Sequence, residues 1–357
     1  MTYALLIATF IGVICGMTLR TASAFKEVGS AWAFMALLAL AFSIGRGTSS
    51  LISGEAAKRY GSKVTALGFF SLGTVGLGYA FGPPSLYPIL RIFHGISSGI
   101  TWPSMQALVM NMAPPDKRAR VASIYFFIGS LGMSIAYLIG SAFSYSALYV
   151  APFVLYSLGI TMLKVSGKVG KVQKKVEKGI FSPPSSTLFL MSMTTGLLNV
   201  LVNTEVTIAF LYSMLGKLGA GLALSFASAV GTMISYFLGK EMLDLKQSPK
   251  AIVVPGAVSL GSSSLVLTGH PAVTVLGITM TQGSTMWWRS LLMAVARSGD
   301  VGRRVGLINM GRDIGGVVGS SLLGILGPSA LPLPVLLGAG LTVLGIGIME
   351  RSGATKV

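Results

Sequence analysis

The sequence has little charge and few side chains that bind metals or form disulfides. Asp, Glu, Lys and Arg make up 10% of its 357 residues, against about 25% in a typical soluble domain. One cysteine and two histidines exclude an intrachain disulfide and a cysteine-based metal cluster, and we predict no cofactor and no metal ion. Acidic residues are the scarcest, 10 against 27 basic residues. Apolar residues make up 52% of the chain instead, which is typical of a membrane protein.

Apolar residues are grouped in twelve stretches separated by polar gaps. A helix needs about 20 residues to cross a hydrocarbon core of about 30 Å, and each stretch approaches or exceeds that length. We therefore predict an all-α membrane protein with twelve transmembrane helices. The stretches cover residues 3–19, 31–53, 64–82, 85–112, 121–142, 145–163, 187–214, 218–238, 251–268, 271–296, 305–327 and 331–349.

Basic residues are concentrated in alternate gaps. Of the 27 Lys and Arg residues, 20 follow even-numbered stretches, whereas the gaps on the other side hold only Arg20, Lys26 and Lys217. By the positive-inside rule, this asymmetry predicts a multi-pass protein of the cell membrane with both termini in the cytoplasm. Nucleic-acid-binding proteins gather their positive charge on one face. We therefore predict no nucleic-acid partner, although the pI is about 10.1.

The longest gap, residues 164–186, divides the stretches six and six. Shifting the sequence by 184 residues aligns predicted helix 1 with helix 7 and Asp116 with Asp300. We interpret this as a duplication, with six-helix bundles over residues 1–163 and 187–357 joined by a basic cytoplasmic linker. Parallel six-helix repeats place a substrate site at their interface, near the middle of the membrane.

The gap between predicted helices 2 and 3 carries a short signature. It reads GEAAKRYGSK over residues 54–63, and it resembles the loop signature of the major facilitator superfamily. The signature positions are Gly54, Lys58, Arg59, Gly61 and Lys63. Lys58 is a departure, because the family keeps an Asp there. The resemblance implies that this carboxylate helps to lock the outward-facing state, so the lock takes another form here.

Predicted helix 4 carries a second resemblance to the same family. Residues 90–99 read LRIFHGISSG, in which Arg91 and Gly95 match the family pattern and His94 replaces a Gln. In the family this arginine is associated with proton coupling or substrate binding. The resemblance implies the major facilitator fold, with two pseudo-symmetric six-helix bundles. It also implies a secondary transporter that moves a small solute by alternating access.

Six charged residues and one histidine lie inside the predicted helices. A charge near the bilayer centre costs about 2.5–3.5 kcal/mol and needs a partner or a wet cavity. The residues are Arg46, Arg91, His94, Glu205, Arg289, Arg312 and Asp313. Because this set contains four arginines and only two carboxylates, the sequence favours an anionic substrate, either a carboxylate or an inorganic oxyanion.

Glu205 lies near Asn199 and Asn203 in predicted helix 7, which lines the central cavity in the family. Two interpretations remain open. In one, Glu205 carries the coupling proton, because desolvation favours the uncharged form of a carboxyl group. In the other, it forms a static ion pair with an arginine on a neighbouring helix, such as Arg91.

Asp313 is predicted to form a gate with an arginine from another helix. The adjacent Arg312 points about 100° away on a helix, so we do not expect these two residues to pair. Asp313 and Arg312 lie about 12 Å from the cytoplasmic end of predicted helix 11 by rise per residue, and Arg289 and Arg46 lie at a similar depth in their own helices. We therefore predict that one of them pairs with Asp313.

Other classes of function fit the sequence less well. A drug or metabolite exporter of the same superfamily remains the alternative. A membrane-embedded enzyme needs paired carboxylates or a His/Asp cluster at one interface, and the only histidines are His94 and His270, so we predict no enzyme. A sensor would carry a soluble domain, whereas the longest gap has 23 residues. We predict a monomeric, proton-coupled transporter of a small molecule in the lipid bilayer.

Overall fold

The chain folds into twelve α-helices in the computed structural model, which describes residues 2–112, 118–165, 183–242, 250–295 and 301–352. The all-α architecture predicted from the apolar stretches is confirmed. The helices are α1 (Thr2–Lys26), α2 (Trp32–Tyr60), α3 (Ser62–Phe81), α4 (Tyr87–Met112), α5 (Arg118–Ala142), α6 (Ser144–Val165), α7 (Ser185–Val200), α8 (Glu205–Met242), α9 (Lys250–Val266), α10 (Pro271–Val295), α11 (Val301–Leu326) and α12 (Pro332–Arg351).

The outer surface of the helices is apolar, and their interior is rich in hydroxyl groups. Large apolar side chains are exposed on the outside, among them Phe81, Ile325 and Val343. The side chains of Thr65 and Ser104 are fully buried and hydrogen-bond each other at 2.8 Å. Soluble proteins bury their apolar side chains and expose most of their polar ones, so this reversed distribution suits a surface that faces lipid.

Seven stretches of the described residues are both long and apolar enough to cross a membrane. They fall on α1, α2, α3, α5, α6 and α12, and on a segment that combines α7 with most of α8. Helix α9 is apolar but shorter over Ile252–Val266, and α4, α10 and α11 also lie outside this set. Each of these three carries buried charge, namely Arg91, Arg289, and Arg312 with Asp313. Internal charge therefore accounts for part of the lower hydropathy of these helices.

We call helices α1–α6 the N-terminal half and helices α7–α12 the C-terminal half. In the first, α1 packs against α5 and α6, and α4 packs against α2 and α3; in the second, α7 packs against α11 and α12, and α10 against α8 and α9. The pairs α2–α11 and α5–α8 join the halves. Helix α4 begins at Tyr87 and α10 at Pro271, 184 residues later. Most of the predicted linker, residues 166–182, lies outside the described residues.

The predicted continuous helix over 187–214 is wrong. Helix α7 ends at Val200, and α8 begins at Glu205 after a four-residue turn. The hydroxyls of Thr204 and Thr207 donate to the Val200 carbonyl at 2.9 and 3.0 Å, which satisfies an acceptor that the helix end would otherwise leave open. Helix α8 itself bends sharply at Gly216, whose φ of 70° lies in the left-handed region. Residues 205–215 thus form one limb of α8 and residues 217–242 the other.

Glycines bring α2 and α4 into backbone contact. A Cβ atom on Gly95 would clash with the backbone of Phe42 and lie 2.8 Å from the Arg46 nitrogen. One on Gly99 would lie 2.6 Å from the Arg46 carbonyl oxygen. Small residues at such contacts allow membrane helices to approach closely. This contact fixes the position along α2 from which the Arg46 side chain departs.

Candidate translocation site

The depth of each residue is described relative to the two ends of the helix bundle. The basic face is the end that carries the Lys- and Arg-rich gaps, and α1 begins there. The opposite face is the other end of the bundle. Arg20 lies six residues before the last residue of α1. At a rise of about 1.5 Å per residue, this corresponds to roughly 9 Å along the helix. Arg91 lies four residues into α4. Both arginines therefore lie nearer the opposite face.

Glu205 and Arg20 form a bidentate ion pair that joins the two halves. The Nε and Nη2 atoms of Arg20 donate to the two carboxylate oxygens of Glu205, each at 2.7 Å. Relative exposure is 0% for Glu205 and 6% for Arg20. Two parallel bonds between a guanidinium and a carboxylate are among the strongest protein hydrogen bonds and fix the orientation of both groups.

The prediction that Arg20 lies in a gap between helices is wrong. Helix α1 continues to Lys26, so Arg20 lies inside the helix. The apolar stretch stops at residue 19 only because a charged residue follows it. The run Ala22–Phe25 continues the buried face of α1, and this run was the signal in the sequence that the helix does not end there.

Arg91 is the second partner of Glu205. Its Nη2 atom lies 3.3 Å from Glu205 Oε1 and donates to the Arg20 carbonyl oxygen at 2.7 Å. The ion pair considered from the sequence is therefore present, with Arg20 added to it. The Arg91 side chain is fully buried, and its Nε and Nη1 atoms have no hydrogen-bond partner among the described residues. The three residues come from α1, α4 and α8.

Aromatic rings surround this cluster. The Arg20 guanidinium carbon lies 4.0 Å from the centre of the Phe42 ring, and that of Arg91 lies 5.4 Å from the centre of the Tyr79 ring. The imidazole of His94 contacts both rings, with centroids 5.4 Å from Phe42 and 5.8 Å from Tyr79. Such rings attract the cations and exclude water from the ion pair. His94 is thus part of the wall of the Glu205 cluster.

Asn199 and Asn203 are not hydrogen-bonded to Glu205. Asn203 accepts a hydrogen bond from the Tyr137 hydroxyl and donates to Met133 Sδ at 3.5 Å. Both partners belong to α5. The backbone carbonyl oxygen of Asn199 accepts a hydrogen bond from the backbone N–H of Asn203 at 2.9 Å. The two asparagines therefore stabilise the turn between α7 and α8.

Asp313 forms a second cluster that joins α2 and α11. Arg312 donates to Asp313 Oδ1 from Nη2 at 2.6 Å and from Nε at 3.1 Å. Arg46 Nε lies 3.5 Å from Oδ2, and the Ser50 hydroxyl donates to Oδ2 at 3.1 Å. The prediction that Arg312 and Asp313 do not pair is wrong. The Cβ atoms of neighbours do diverge, but the long arginine side chain folds back across the helix surface.

Arg289 has no carboxylate partner among the described residues. The predicted alternatives for Asp313 were Arg289 and Arg46, and the structure pairs it with Arg46. The Arg289 guanidinium carbon instead lies 4.9 Å from the centre of the Phe126 ring, and Nη1 lies 3.9 Å from Met286 Sδ. The residue is only 8% exposed. A buried guanidinium held only by a ring and a thioether can still bind an anion.

Arg46, Arg289 and Arg312 line one cavity between the halves. The space between their side chains measures about 530 Å³, a value that includes open solvent. The remaining lining residues are Thr9, Val13, Met17, Trp102, Gln106, Tyr125, Phe126, Gly129, Ser130, Met133 and Met286. Thr9 lies near the start of α1 and Arg289 near the end of α10, so the cavity extends towards the basic face.

A hydrogen bond near this cavity also joins the halves. Asn309 of α11 donates to Gln106 of α4 at 3.0 Å. Both residue types are rare in the chain, which has four Asn and four Gln, but no local pattern indicates that these two side chains meet. Trp102 in the lining is held by an edge contact with Phe69, with ring centroids 6.0 Å apart.

The signature at residues 54–63 is largely helical. Helix α2 continues to Tyr60, and Gly61 alone separates it from α3. The φ of 61° at Gly61 explains the glycine, because other residues rarely adopt this conformation. Arg59 and Lys63 are exposed. The surroundings of Gly54 and the side chain of Lys58 lie outside the described residues.

Comparisons with known proteins agree on one family. The family model of the Major Facilitator Superfamily matches residues 4–320. A 128-residue segment is 31% identical to the hexuronate transporter of Bacillus subtilis (strain 168); it covers 34% of this chain and 30% of that protein. The fold is similar to that of the human organic anion transporter TETRAN, with a TM-score of 0.70 and 13% identity over 98% of this chain and 99% of that one. With most of its length matched by the family model, the chain belongs to the major facilitator superfamily and is an integral membrane transporter.

Proposed function

We propose that the protein is a secondary transporter of small organic anions that works by alternating access. The observation that carries this proposal is the cavity between the halves, where three arginines converge and Asp313 is the only carboxylate paired with any of them among the described residues. Positive charge inside a low-dielectric body attracts anions and repels cations. A substrate carboxylate would complete the charge balance of the cavity.

The comparisons support an anion as well. One similar protein is described as a hexuronate transporter and another as an organic anion transporter. The first is matched over about a third of its length and the second shares the fold alone, so neither assigns the substrate. They agree with the charge of the cavity, which was obtained independently of them.

Alternating access would use the two ion-pair clusters as contacts between the halves. The Glu205 cluster lies nearer the opposite face and joins α8 to α1 and α4, whereas the Asp313 cluster joins α11 to α2 nearer the middle of the helices. Opening the opposite face would separate Glu205 from both arginines. Asp313 could keep Arg312, which lies on its own helix.

We further propose that transport is coupled to protons through Glu205. When the opposite face opens, the carboxylate would lose two buried cations, and a proton is the simplest replacement for them. The same proposal takes the protein to be a monomer in the cell membrane. The distribution of basic residues supports cytoplasmic positions for both termini.

The experiment that tests this proposal is transport by the purified protein in proteoliposomes. Labelled phenylacetate, glucuronate and sulfate represent anions, and tetraphenylphosphonium represents lipophilic cations. We expect at least one anion to accumulate and the cation not to. Transport of the cation without any anion would contradict the proposal and would favour the alternative, an exporter of cationic drugs.

A further inference from the structure

The cavity combines three cationic side chains with walls that are mainly apolar. Apart from the arginines, its lining includes Trp102, Phe126 and three methionines, Met17, Met133 and Met286. Methionine side chains are flexible and polarizable, so they adapt to apolar groups of different shapes. The lining thus offers a site for a negative charge next to a surface for an apolar body.

The same lining offers few hydrogen-bond acceptors. Arginine and tryptophan side chains only donate. The Thr9 hydroxyl donates to the Leu5 carbonyl oxygen at 2.8 Å and can still accept a hydrogen bond, and the amide oxygen of Gln106 accepts from Asn309 at 3.0 Å and keeps one lone pair. Among the described lining side chains, the strong acceptors are therefore the hydroxyls of Thr9, Tyr125 and Ser130 and this one lone pair of Gln106. The Ser130 hydroxyl is buried and has no partner among the described residues.

Acceptor scarcity bears on which anions fit. A sugar acid carries several hydroxyl groups, each of which must donate a hydrogen bond when it leaves water. The methionines, Trp102 and Phe126 of the lining offer these hydroxyls no strong acceptor. Hydroxyls that face this wall stay without a partner, and each buried hydroxyl without an acceptor lowers affinity by roughly tenfold. A carboxylate on an aromatic or aliphatic body has no such groups. Its oxygens accept from the arginines, and its body contacts the methionines and rings.

We propose that the preferred substrate is an amphiphilic monocarboxylate, with an aromatic or aliphatic body, rather than a polyhydroxylated acid. The inference rests on the proposed anion transport and narrows its substrate class. In this arrangement the carboxylate binds at Arg289, whose guanidinium is the one without a carboxylate partner among the described residues. The body of the substrate lies towards Met17 and Met133.

The test compares matched ligands on the purified protein, by thermal stabilisation and by uptake into proteoliposomes. Phenylacetate and glucuronate carry the same charge, and phenylacetamide is the neutral control for the apolar body. We expect phenylacetate to bind at least tenfold more tightly than either of the others. Equal or tighter binding of glucuronate would overturn the substrate class and leave anion transport standing. Two results would overturn both the substrate class and anion transport: phenylacetamide binding as tightly as phenylacetate, and no binding of any anion.

A variant provides a second, independent measurement. Met17→Gln adds a carbonyl acceptor to the apolar wall with little change in volume. We expect the ratio of glucuronate affinity to phenylacetate affinity to rise several-fold, because the new acceptor serves one substrate hydroxyl. An unchanged ratio in a stable variant would contradict the argument from acceptor scarcity.

Discussion

Buried charge in this protein is unevenly shared. Among the described residues, Glu205 faces Arg20 and Arg91, Asp313 faces Arg46 and Arg312, and Arg289 faces neither carboxylate. A buried charge whose partner is removed costs roughly 3–5 kcal/mol. Each carboxylate thus stabilises two cations at once, and its loss is expected to affect both stability and transport.

Glu205→Gln tests the role of the first carboxylate. The amide cannot exchange a proton and leaves Arg20 and Arg91 without a counter-charge. We expect proton-driven accumulation of the anion to be lost, while exchange of labelled for unlabelled substrate continues. The measurement is uptake into proteoliposomes with and without a pH gradient. The matched control is Glu350→Gln, at an exposed carboxylate of α12. Normal proton-driven accumulation by Glu205→Gln would show that Glu205 has only a structural role.

The sequence identified most of the charged residues of the site but not how they pair. Each of Arg46, Arg91, Glu205, Arg289 and Asp313 is conspicuous, because charge is rare inside an apolar stretch. The partners depend on which helices adjoin and on how far a side chain extends, and neither is encoded locally. Arg20 was missed for a related reason: at the edge of an apolar stretch, a buried arginine and a loop arginine look alike.

At the scale of the helices, the number of helices could be predicted from the sequence, whereas their ends depend on packing. Twelve apolar stretches predicted twelve helices, because a helix that crosses lipid must be continuous and apolar. The ends are less well specified. Helix α2 extends to Tyr60, seven residues beyond its predicted end. The break between α7 and α8 falls at residues 201–204, where Asn203, Thr204 and Glu205 interrupt the apolar run. From the sequence alone, these polar residues indicate part of a site and not a helix end.

Gly216 is the residue on which the bend of α8 depends. Its φ of 70° and ψ of -179° cost other residues about 1–3 kcal/mol, although a Cβ atom would meet nothing within 4 Å. We expect Gly216→Ala to lower the free energy of unfolding by that amount, measured by thermal or denaturant unfolding in detergent.

The control for this prediction is Gly340→Ala. Gly340 lies in α12, where a Cβ atom also meets nothing within 4 Å, but its φ is not positive. Alanine is favoured over glycine by roughly 0.5–1 kcal/mol inside a helix, so this variant should be as stable as the parent or more so. A similar loss of stability in both variants would show that the backbone conformation at Gly216 is not the cause.

At the scale of the whole molecule, two six-helix halves meet along α2–α11 and α5–α8. The second interface is held by hydroxyls: Ser134 and Ser225 lie 2.9 Å apart, oxygen to oxygen, and Ser228 donates to the Ser130 carbonyl oxygen at 3.2 Å. Ser134 is eight residues from the end of α5 at the opposite face, so this contact is nearer that face.

A disulfide across this interface tests whether the halves must move. Ser134→Cys with Ser225→Cys, in a Cys15→Ser background, places two thiols close enough to bond. We expect oxidation to stop transport and a reductant to restore it. The matched control is Thr65→Cys with Ser104→Cys, whose hydroxyls lie 2.8 Å apart within the N-terminal half. Full transport by the oxidised Ser134/Ser225 pair would argue against relative motion at α5–α8.

The claim on which the account depends is that the arginines of the cavity bind the substrate anion. Arg289→Gln tests it most directly, because this arginine has no carboxylate partner among the described residues that its removal would leave unpaired. A hydrogen bond to a charged group contributes about 1.5–3 kcal/mol, so KM for the transported anion should rise roughly tenfold to hundredfold. Arg351→Gln, at an exposed arginine at the end of α12, should leave KM unchanged. Uptake by Arg289→Gln with the KM of the parent protein would contradict the account.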